Sequence, residues 1–252
     1  MMTSTPHIAL VTGGSRGIGR AVVDRLHADG ARVATCGRGE RPADLPDAVH
    51  WVQSDVAQAG EAERIVGATT EVFGPPTLLV NNAGVLVERT VADSTDEDWD
   101  LLVGVNCRAV FAFCRAVLPE MTRSGGVIVN IGSISATVAD PSMALYNASK
   151  AFVQGLTRSV AVDHGPAVRC NAISPGWIAT DMADAGFALA DDPAAARRDA
   201  VTRHPAGRLG VPADIAHAVA WLASPASAFV TGQCFTVDGG LTAASPLRPA
   251  LS

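Results

Sequence analysis

The sequence predicts a single α/β domain in which helices cover both faces of a parallel sheet, a doubly wound architecture. Short apolar segments alternate along the chain with longer amphipathic segments, which is the pattern of β-strands joined by crossover helices. The chain has 252 residues, an ordinary length for one such domain, and no internal repeat or low-complexity linker divides it. We therefore expect one domain over residues 1–252.

The expected elements follow that alternation from end to end. Strands are expected where short runs are mainly apolar, at residues 7–11, 32–36, 49–52, 78–80, 127–131, 168–173 and 234–237. Helices are expected in the amphipathic segments, at residues 17–29, 60–73, 96–118, 142–164 and 212–223. Residues 180–209 show no clear core pattern, and so long a segment is typical of a substrate lid. The tail, residues 243–252, contains two prolines and is expected to be irregular.

The composition, the net charge and the N-terminal sequence limit the binding partners and the cellular location that we expect for the protein. Hydrophobic residues make up 48% of the chain and charged residues only 17%, which favours a homo-oligomer that hides apolar faces between subunits. The net charge of −6 supplies no basic stripe, so we expect neither nucleic acid nor an anionic membrane as a partner. The N-terminus has no positively charged region before its short apolar stretch, which favours a cytoplasmic location.

The five cysteines lie far apart and show no C-x-x-C spacing. Their odd number argues against a disulfide framework, and their spacing argues against a zinc site. We interpret all of them as buried small hydrophobic residues: Cys36, Cys107, Cys114, Cys170 and Cys234.

A glycine-rich turn directly follows the first expected strand and opens the first expected helix. It reads Thr12-Gly13-Gly14-Ser15-Arg16-Gly17-Ile18-Gly19. Glycines let the backbone turn sharply and approach a pyrophosphate, whose charge the helix N-terminus then stabilises. A lone glycine cluster could also be a simple tight turn. The residues that we expect to bind a dinucleotide here are Gly13, Ser15, Arg16, Gly17, Ile18 and Gly19.

The end of the second expected strand favours NADP(H) over NAD(H). Sites that prefer NAD usually place an acidic residue there to accept a hydrogen bond from the ribose 2′-hydroxyl. This chain has Gly37, which is expected to leave open space where an NAD site would place a carboxylate, followed by Arg38. Arg38 and Arg16 can each offer charge-assisted hydrogen bonds to a 2′-phosphate. Both arginines could instead be solvated loop residues, and Glu40 is then the alternative ribose ligand.

Two further turns follow strands at the same edge of the expected sheet. Asp55 and Val56 come after the third strand and could hold the adenine amino edge. The sequence Asn81-Asn82-Ala83-Gly84 comes after the fourth strand, and ligands gather at the carboxyl ends of strands in an open sheet. Alone, this second sequence is only a turn.

The chain has one tyrosine, Tyr146, and one lysine, Lys150. They are four residues apart and so share one face of an expected helix, although both could be ordinary surface residues. An ammonium stabilises a nearby phenolate, so Tyr146 can be the general acid for ketone reduction and the general base for alcohol oxidation. Ser133 ends a strand and could donate to the carbonyl oxygen, with Ser135 as its competitor.

Taken in order, these motifs resemble those of the short-chain dehydrogenase/reductase family, and the likeness covers nearly the whole chain. The resemblance implies a Rossmann-type fold, a homotetramer, and hydride transfer without a metal. It implies that Asn106 holds a proton-relay water beside Lys150, and that the Ile178 backbone and the Thr180 hydroxyl grip the nicotinamide carboxamide. The further cofactor residues that it implies are Asn82, Ala83, Gly84, Tyr146, Lys150, Pro175 and Gly176.

Two departures from the family pattern suggest an apolar substrate pocket. Ile134 stands where a small residue is usual, and Trp177 places a large ring beside the nicotinamide segment. Met143, Met182 and Phe187 would complete this pocket, although each of the five could equally belong to the core.

The leading hypothesis is an NADP(H)-dependent ketoreductase or secondary-alcohol dehydrogenase acting on a small or medium apolar compound. A 3-oxoacyl-[acyl-carrier-protein] reductase is the second hypothesis, but segments 121–126 and 163–166 offer little positive charge to an acidic carrier. A non-catalytic NADP-binding redox sensor is the third. Such a sensor would not need the proton-transfer set Asn106, Ser133, Tyr146 and Lys150.

Overall fold

Seven parallel strands form one sheet in the computed structural model, which describes residues 6–244. The strands are β1 (Ile8–Thr12), β2 (Arg32–Gly37), β3 (His50–Gln53), β4 (Leu78–Asn81), β5 (Gly126–Ile131), β6 (Val168–Pro175) and β7 (Cys234–Val237). Their order across the sheet is β3-β2-β1-β4-β5-β6-β7, with every neighbouring pair parallel. This arrangement confirms the predicted doubly wound α/β fold, and every expected strand is present.

Eight α-helices accompany the sheet within the described range. They are α1 (Gly17–Ala28), α2 (Glu61–Phe73), α3 (Asp96–Leu102), α4 (Val110–Ser124), α5 (Ala144–His164), α6 (Asp181–Phe187), α7 (Pro193–Arg203) and α8 (Pro212–Ala223). A π-helical segment, Val103–Ala109, joins α3 to α4. The helix that we expected over residues 96–118 is therefore three joined segments that continue to Ser124.

Side chains alternate between the two faces of the sheet and build one apolar core on each face. Ala9 and Val11 of β1 pack in the cluster that holds the buried residues of α1 and α8. Leu10 lies between Ala9 and Val11 in sequence and packs in the cluster on the other face of the sheet, with Phe113 of α4. Strands buried on both faces need apolar residues at successive positions, which explains the uninterrupted apolar runs in the sequence.

The joined helix over residues 96–124 is long and apolar enough to cross a membrane by length and composition alone. In the structure, 56% of its most apolar stretch is buried. Phe113, Val117 and Met121 of this helix lie in the core cluster on one face of the sheet. Its apolarity is accounted for in large part by that packing.

The segment over residues 180–209, where we expected an irregular lid, contains two helices, α6 and α7. A β-bridge between Ile178 and Gly210 joins the two ends of this segment, and in it Gly210 N donates to Trp177 O at 2.9 Å. Helix α7 has no fully buried residue; only its half-buried Ala196, Ala200 and Val201 pack against the small cluster around Phe187, so its apolar periodicity in the sequence is weak. The lid function of this segment stays a prediction.

Two smaller expectations have mixed outcomes. All five cysteines are free; four are buried as expected, and Cys234 is only half-buried at the edge strand β7. Residues 243 and 244 of the expected irregular tail lie in neither helix nor strand, and residues 245–252 lie outside the described part of the chain.

Candidate active site

The glycine turn runs from the end of β1 into α1, beside the turn after β4. Gly13 has φ 71° and Gly17 has φ 57°, conformations that L side chains rarely adopt. A Cβ on Gly13 would lie 3.1 Å from Cα of Ala83, and one on Gly19 would overlap the carbonyl oxygen of Gly13. These glycines are therefore required by backbone conformation and by close packing of the turn.

The N-terminus of α1 fits the diphosphate of a dinucleotide. Arg16 is the N-cap residue, and its side chain makes no capping hydrogen bond, so the first-turn N–H groups stay available to an anion. This end of the helix opens onto a cleft of about 350 Å³. Every cofactor residue predicted from the sequence lines the cleft: Gly13, Ser15, Arg16, Gly17, Ile18, Gly19, Arg38, Asp55, Val56, Asn82, Ala83, Gly84, Tyr146, Lys150, Pro175, Gly176, Ile178 and Thr180.

Some of these residues also hold the cleft together. The side-chain amide of Asn82 donates to the carbonyl oxygens of Thr12 and Gly13, which ties the turn after β4 to the glycine turn. One carboxylate oxygen of Asp55 accepts from the backbone N–H of Ala57 at 3.0 Å. These motif residues therefore stabilise the turns around the cleft as well as line its surface.

The segment after β6 contains the two groups that we expected to grip the nicotinamide carboxamide, the Thr180 hydroxyl and the Ile178 backbone. The Thr180 hydroxyl donates to Ile178 O at 3.2 Å and caps α6 by accepting from Ala183 N. Within the described range, the backbone N–H of Ile178 has no hydrogen-bond acceptor. Of the two groups expected to grip a carboxamide, the Ile178 N–H is the one that the protein leaves available.

The structure changes our interpretation of Gly37. We expected an open space where an NAD site would place a carboxylate, but the indole of Trp51 fills it. A Cβ on Gly37 would lie 2.6 Å from Cη2 of that ring, closer than real Cβ contacts come. Trp51 lies on the edge strand β3, and no sequence motif relates it to Gly37.

The two arginines expected at the 2′-phosphate differ in their surroundings. Arg16 pairs with Asp181 at the start of α6 at 3.2 Å, and both side chains are exposed. Arg38 is exposed on the cleft, and its guanidinium has no ion-pair partner among residues 6–244. Arg38 is therefore the arginine that is free to bind a phosphate.

The serine, the tyrosine and the lysine predicted to carry the chemistry meet at the wall of the cleft. Ser133 follows β5, and its hydroxyl lies beside the phenol of Tyr146. It also donates to the Ser135 hydroxyl at 3.0 Å and accepts from Ser135 N at 3.1 Å. Ser135 thus lies behind Ser133 as its support, and Ser133 is the serine that contacts the phenol.

The surroundings of Tyr146 hold its phenol in the neutral form. Burial raises the pKa of Tyr146 above its ordinary value of 10.0, and the neighbouring Ser133 hydroxyl opposes that rise. From the sequence we expected Lys150 to lower this pKa. The ammonium nitrogen lies 5.5 Å from the centre of the phenol ring, and desolvation dominates in the structure.

Lys150 is a buried residue at the wall of the cleft. Burial lowers its pKa from 10.5 to about 8, and the nearby Cys107 opposes that shift. Its Nζ donates to the carbonyl oxygen of Ile131 at 3.1 Å, which leaves two of its three N–H groups for other partners. A Cβ on Gly84 would lie 3.6 Å from this Nζ, so a side chain at position 84 would crowd the ammonium.

Asn106 lies in the π-helical segment, a feature that is frequent at functional sites. Its Oδ1 accepts from Val85 N, and its Nδ2 donates to Val85 O and to the Ser149 hydroxyl. Asn106 is buried and does not line the cleft. Its side chain fixes the segment after β4 against α5, whereas its expected role in holding a relay water stays a prediction.

Four of the five residues predicted for the substrate pocket line the cleft, and their role in binding a substrate stays a prediction. Ile134, Met143, Trp177 and Met182 line the cleft beyond the reacting groups. Phe187 does not line it, because its ring stacks on the far side of Trp177, with ring centres 5.0 Å apart and planes at 19°. Five residues that were not predicted from the sequence also line the cleft: Leu86, Glu88 and Asp140 in loops, Leu101 in α3 and Val105 in the π-helical segment.

Comparisons with known proteins agree with this geometry. A family model described as "Enoyl-(Acyl carrier protein) reductase" matches residues 13–242. The chain is 38% identical to the NADP-dependent (R)-specific alcohol dehydrogenase of Lentilactobacillus kefiri, over 94% of this chain and 96% of that protein. It is 37% identical to the 3-oxoacyl-[acyl-carrier-protein] reductase of Vibrio cholerae, over 93% of this chain and 96% of that protein.

Solved structures show the same likeness. The aldohexose dehydrogenase of Thermoplasma acidophilum superposes with a TM-score of 0.91 at 31% identity and covers 95% of both chains. A gluconate 5-dehydrogenase of Burkholderia cenocepacia, solved with NADP and tartrate, superposes with a TM-score of 0.86 at 34% identity, over 94% of this chain and 95% of that one. With its sheet order, glycine turn and Ser133, Tyr146 and Lys150, the chain belongs to the short-chain dehydrogenase/reductase family of oxidoreductases.

Proposed function

We propose that this protein is an NADPH-dependent ketoreductase that converts small or medium apolar ketones to secondary alcohols and runs the reverse oxidation when alcohol is in excess. The observation that carries the proposal is the contact between Ser133 and Tyr146 above a buried Lys150, on the wall of a cleft that fits a dinucleotide. The similarity to an NADP-dependent alcohol dehydrogenase supports the same reaction class.

A nicotinamide cofactor, when bound, supplies the hydride for reduction. Tyr146 donates the proton to the carbonyl oxygen, and its raised pKa keeps the phenol protonated at neutral pH, as an acid must be. The Ser133 hydroxyl, which donates to Ser135 in the structure, can rotate and offer its proton to the same oxygen, where negative charge develops in the transition state. The two free N–H groups of Lys150 stabilise the phenolate that proton transfer leaves behind.

NADP(H) is the cofactor that the cleft favours in this proposal. Arg38 offers an unpaired guanidinium at the end of β2, and Trp51 excludes a carboxylate from position 37. A charge-assisted hydrogen bond to phosphate contributes roughly 1.5–3 kcal/mol, so one such contact gives at least a tenfold preference over NAD(H). The similarity to an NADP-dependent alcohol dehydrogenase and to a gluconate 5-dehydrogenase solved with NADP supports this choice.

The protein is also proposed to be a cytoplasmic homotetramer. Helices α4 and α5 expose large apolar residues, among them Phe111 and Phe152, which are 45% and 42% exposed. Exposed aromatic side chains on adjacent helices are suited to pack on their copies across a two-fold axis.

The experiment that tests the function is a screen of ketones with NADPH, and of alcohols with NADP, followed by nicotinamide absorbance at neutral pH. Reduction of neutral aryl and alkyl methyl ketones is the expected result. The second candidate, reduction of 3-oxoacyl groups on an acyl carrier protein, is favoured by the similarity to the Vibrio cholerae enzyme. A 3-oxoacyl carrier substrate that reacted far faster than every free ketone would replace our proposal.

A further inference from the structure

The substrate end of the cleft carries two carboxylates that nothing in the described chain neutralises. Glu88 and Asp140 both line the cleft and are half-buried. Neither forms an ion pair or a hydrogen bond with any residue between positions 6 and 244. The arginine next in sequence, Arg89, turns away and pairs with Asp98 at 3.0 Å.

The contacts of Glu88 place it at the end of the cleft where the substrate is proposed to bind. Its Oε1 lies 3.3 Å from the point where a Cβ of Gly186 would be, and the Trp177 ring lies 3.9 Å from the same point. Glu88 therefore approaches α6 next to the indole of Trp177, which also lines the cleft. Asp140 belongs to the loop that leads to Met143, and Met143 forms a bridge with Arg89. The two carboxylates thus come from loops joined to each other at one wall.

The cations of the cleft do not balance these two charges. Arg16, Arg38 and Lys150 are the cationic residues among those that line it. Arg16 is paired with Asp181, Arg38 lies at the end of β2, and Lys150 is buried beneath the phenol. The end of the cleft that receives the substrate is therefore negative.

We infer that Glu88 and Asp140 select substrates by charge, admitting neutral and cationic ketones and rejecting ketones that carry a carboxylate, sulfonate or phosphate. This inference rests on the proposed ketoreductase function. A negative group on the substrate and a protein carboxylate several ångströms away repel each other in a partly desolvated cleft. This repulsion is strong enough to weaken substrate binding by tenfold or more. An ammonium or hydroxyl group on the substrate, in contrast, finds two unoccupied acceptors.

The test uses three acetophenones that differ only in the para substituent: a carboxamide, a carboxylate and an aminomethyl group. We expect kcat/KM at saturating NADPH and pH 7 to be at least tenfold lower for the carboxylate than for the carboxamide, chiefly through KM. The aminomethyl ketone should equal or exceed the carboxamide. In the double variant Glu88→Gln, Asp140→Asn, the carboxamide-to-carboxylate ratio should fall to within about threefold of unity.

Glu71→Gln is the matched control, because it removes an exposed carboxylate from α2, away from the cleft, and should leave the ratio unchanged. Equal kcat/KM for carboxylate and carboxamide in the unaltered protein would overturn the charge inference and leave the ketoreductase proposal standing. A ratio that persisted in the double variant would overturn the assignment to these two residues. Failure to reduce any neutral ketone would remove the proposed function, and the charge inference with it.

Discussion

The indole of Trp51 occupies the space into which a side chain at Gly37 would extend, with Cη2 of the ring 2.6 Å from the Cβ position. A cofactor switch at this site therefore involves two residues. Gly37→Asp alone should overpack the site and lower the free energy of unfolding by about 1–3 kcal/mol. It should also weaken NADPH binding without producing tight NADH binding, because the new carboxylate cannot reach its position while the ring stays in place.

The double variant Gly37→Asp, Trp51→Phe should recover stability and bind NADH more tightly than either single variant, since the smaller ring frees the space beside position 37. Thermal unfolding and nucleotide titration by fluorescence measure the two effects independently, and Trp51→Phe alone is the control. Our account of position 37 would be wrong if Gly37→Asp alone kept the unfolding temperature of the parent and bound NADH tightly.

Arg38→Ala should weaken NADPH binding by about tenfold or more, equivalent to roughly 1.4 kcal/mol, and leave NADH binding nearly unchanged. The reason is that only the 2′-phosphate distinguishes the two nucleotides, and Arg38 has no competing ion pair within the described range. Arg32→Ala is a matched control, since Arg32 is an exposed arginine at the opposite end of the same strand. Equal NADPH and NADH affinities in the unaltered protein would instead point to Glu40 as a ribose ligand.

Lys150→Met should stabilise the nucleotide-free protein and impair both turnover and nucleotide binding. Burial holds the pKa of Lys150 at about 8, against 10.5 in the unfolded chain, so the folded state loses stability by enclosing the ammonium. Between these two values the unfolded chain binds more protons, and the stability of the parent protein rises with pH. The advantage of the variant should therefore be greatest below pH 8 and shrink toward pH 10.5.

This stability difference should be on the order of 1–3 kcal/mol at pH 7, or a few degrees in unfolding temperature for a chain of this size. Urea or thermal unfolding of both proteins from pH 6.5 to 10 measures it, and other titrating groups cancel in the comparison. A variant less stable than the parent throughout that range would show that the hydrogen bond to Ile131 matters more than desolvation.

Light scattering at micromolar concentration should give four times the 25.9 kDa chain mass. Phe111→Glu together with Phe152→Glu should dissociate the assembly, because both side chains are exposed on the helices proposed to pack across the two-fold axis. Val91→Glu is the control, since Val91 is 80% exposed but lies outside these helices. A monomeric parent protein would contradict the proposed tetramer.

Local patterns in the sequence were enough to predict the strands and most of the residues that line the cleft. All seven strands follow from apolar runs, and the predicted cofactor residues line one cleft because turns after parallel strands share an edge of the sheet. Tyr146 and Lys150 meet because α-helical spacing places residues four apart on one face. In each case the interacting groups are close in sequence or lie at equivalent ends of neighbouring strands.

The features that the sequence did not predict depend on contacts between distant segments. Nothing near Gly37 in sequence indicates that Trp51 of the next strand covers it. Phe187 was expected in the pocket because an aromatic residue there is apolar, but only the fold shows that its ring lies behind Trp177. Helix α7 packs against the protein only through half-buried side chains, so its apolar pattern is weak. Glu88 comes from a loop whose approach to α6 is set by tertiary packing.

In the proposed reaction, Tyr146 donates the proton to the ketone oxygen. Tyr146→Phe deletes one hydroxyl group and little volume, so NADPH affinity, measured by fluorescence titration, should stay within about twofold of the parent. Turnover of a neutral methyl ketone should fall by about a thousandfold or more, equivalent to at least roughly 4 kcal/mol of transition-state stabilisation. A variant that binds NADPH normally and still reduces the ketone at more than a tenth of the parent rate would contradict the assignment of Tyr146 as the acid.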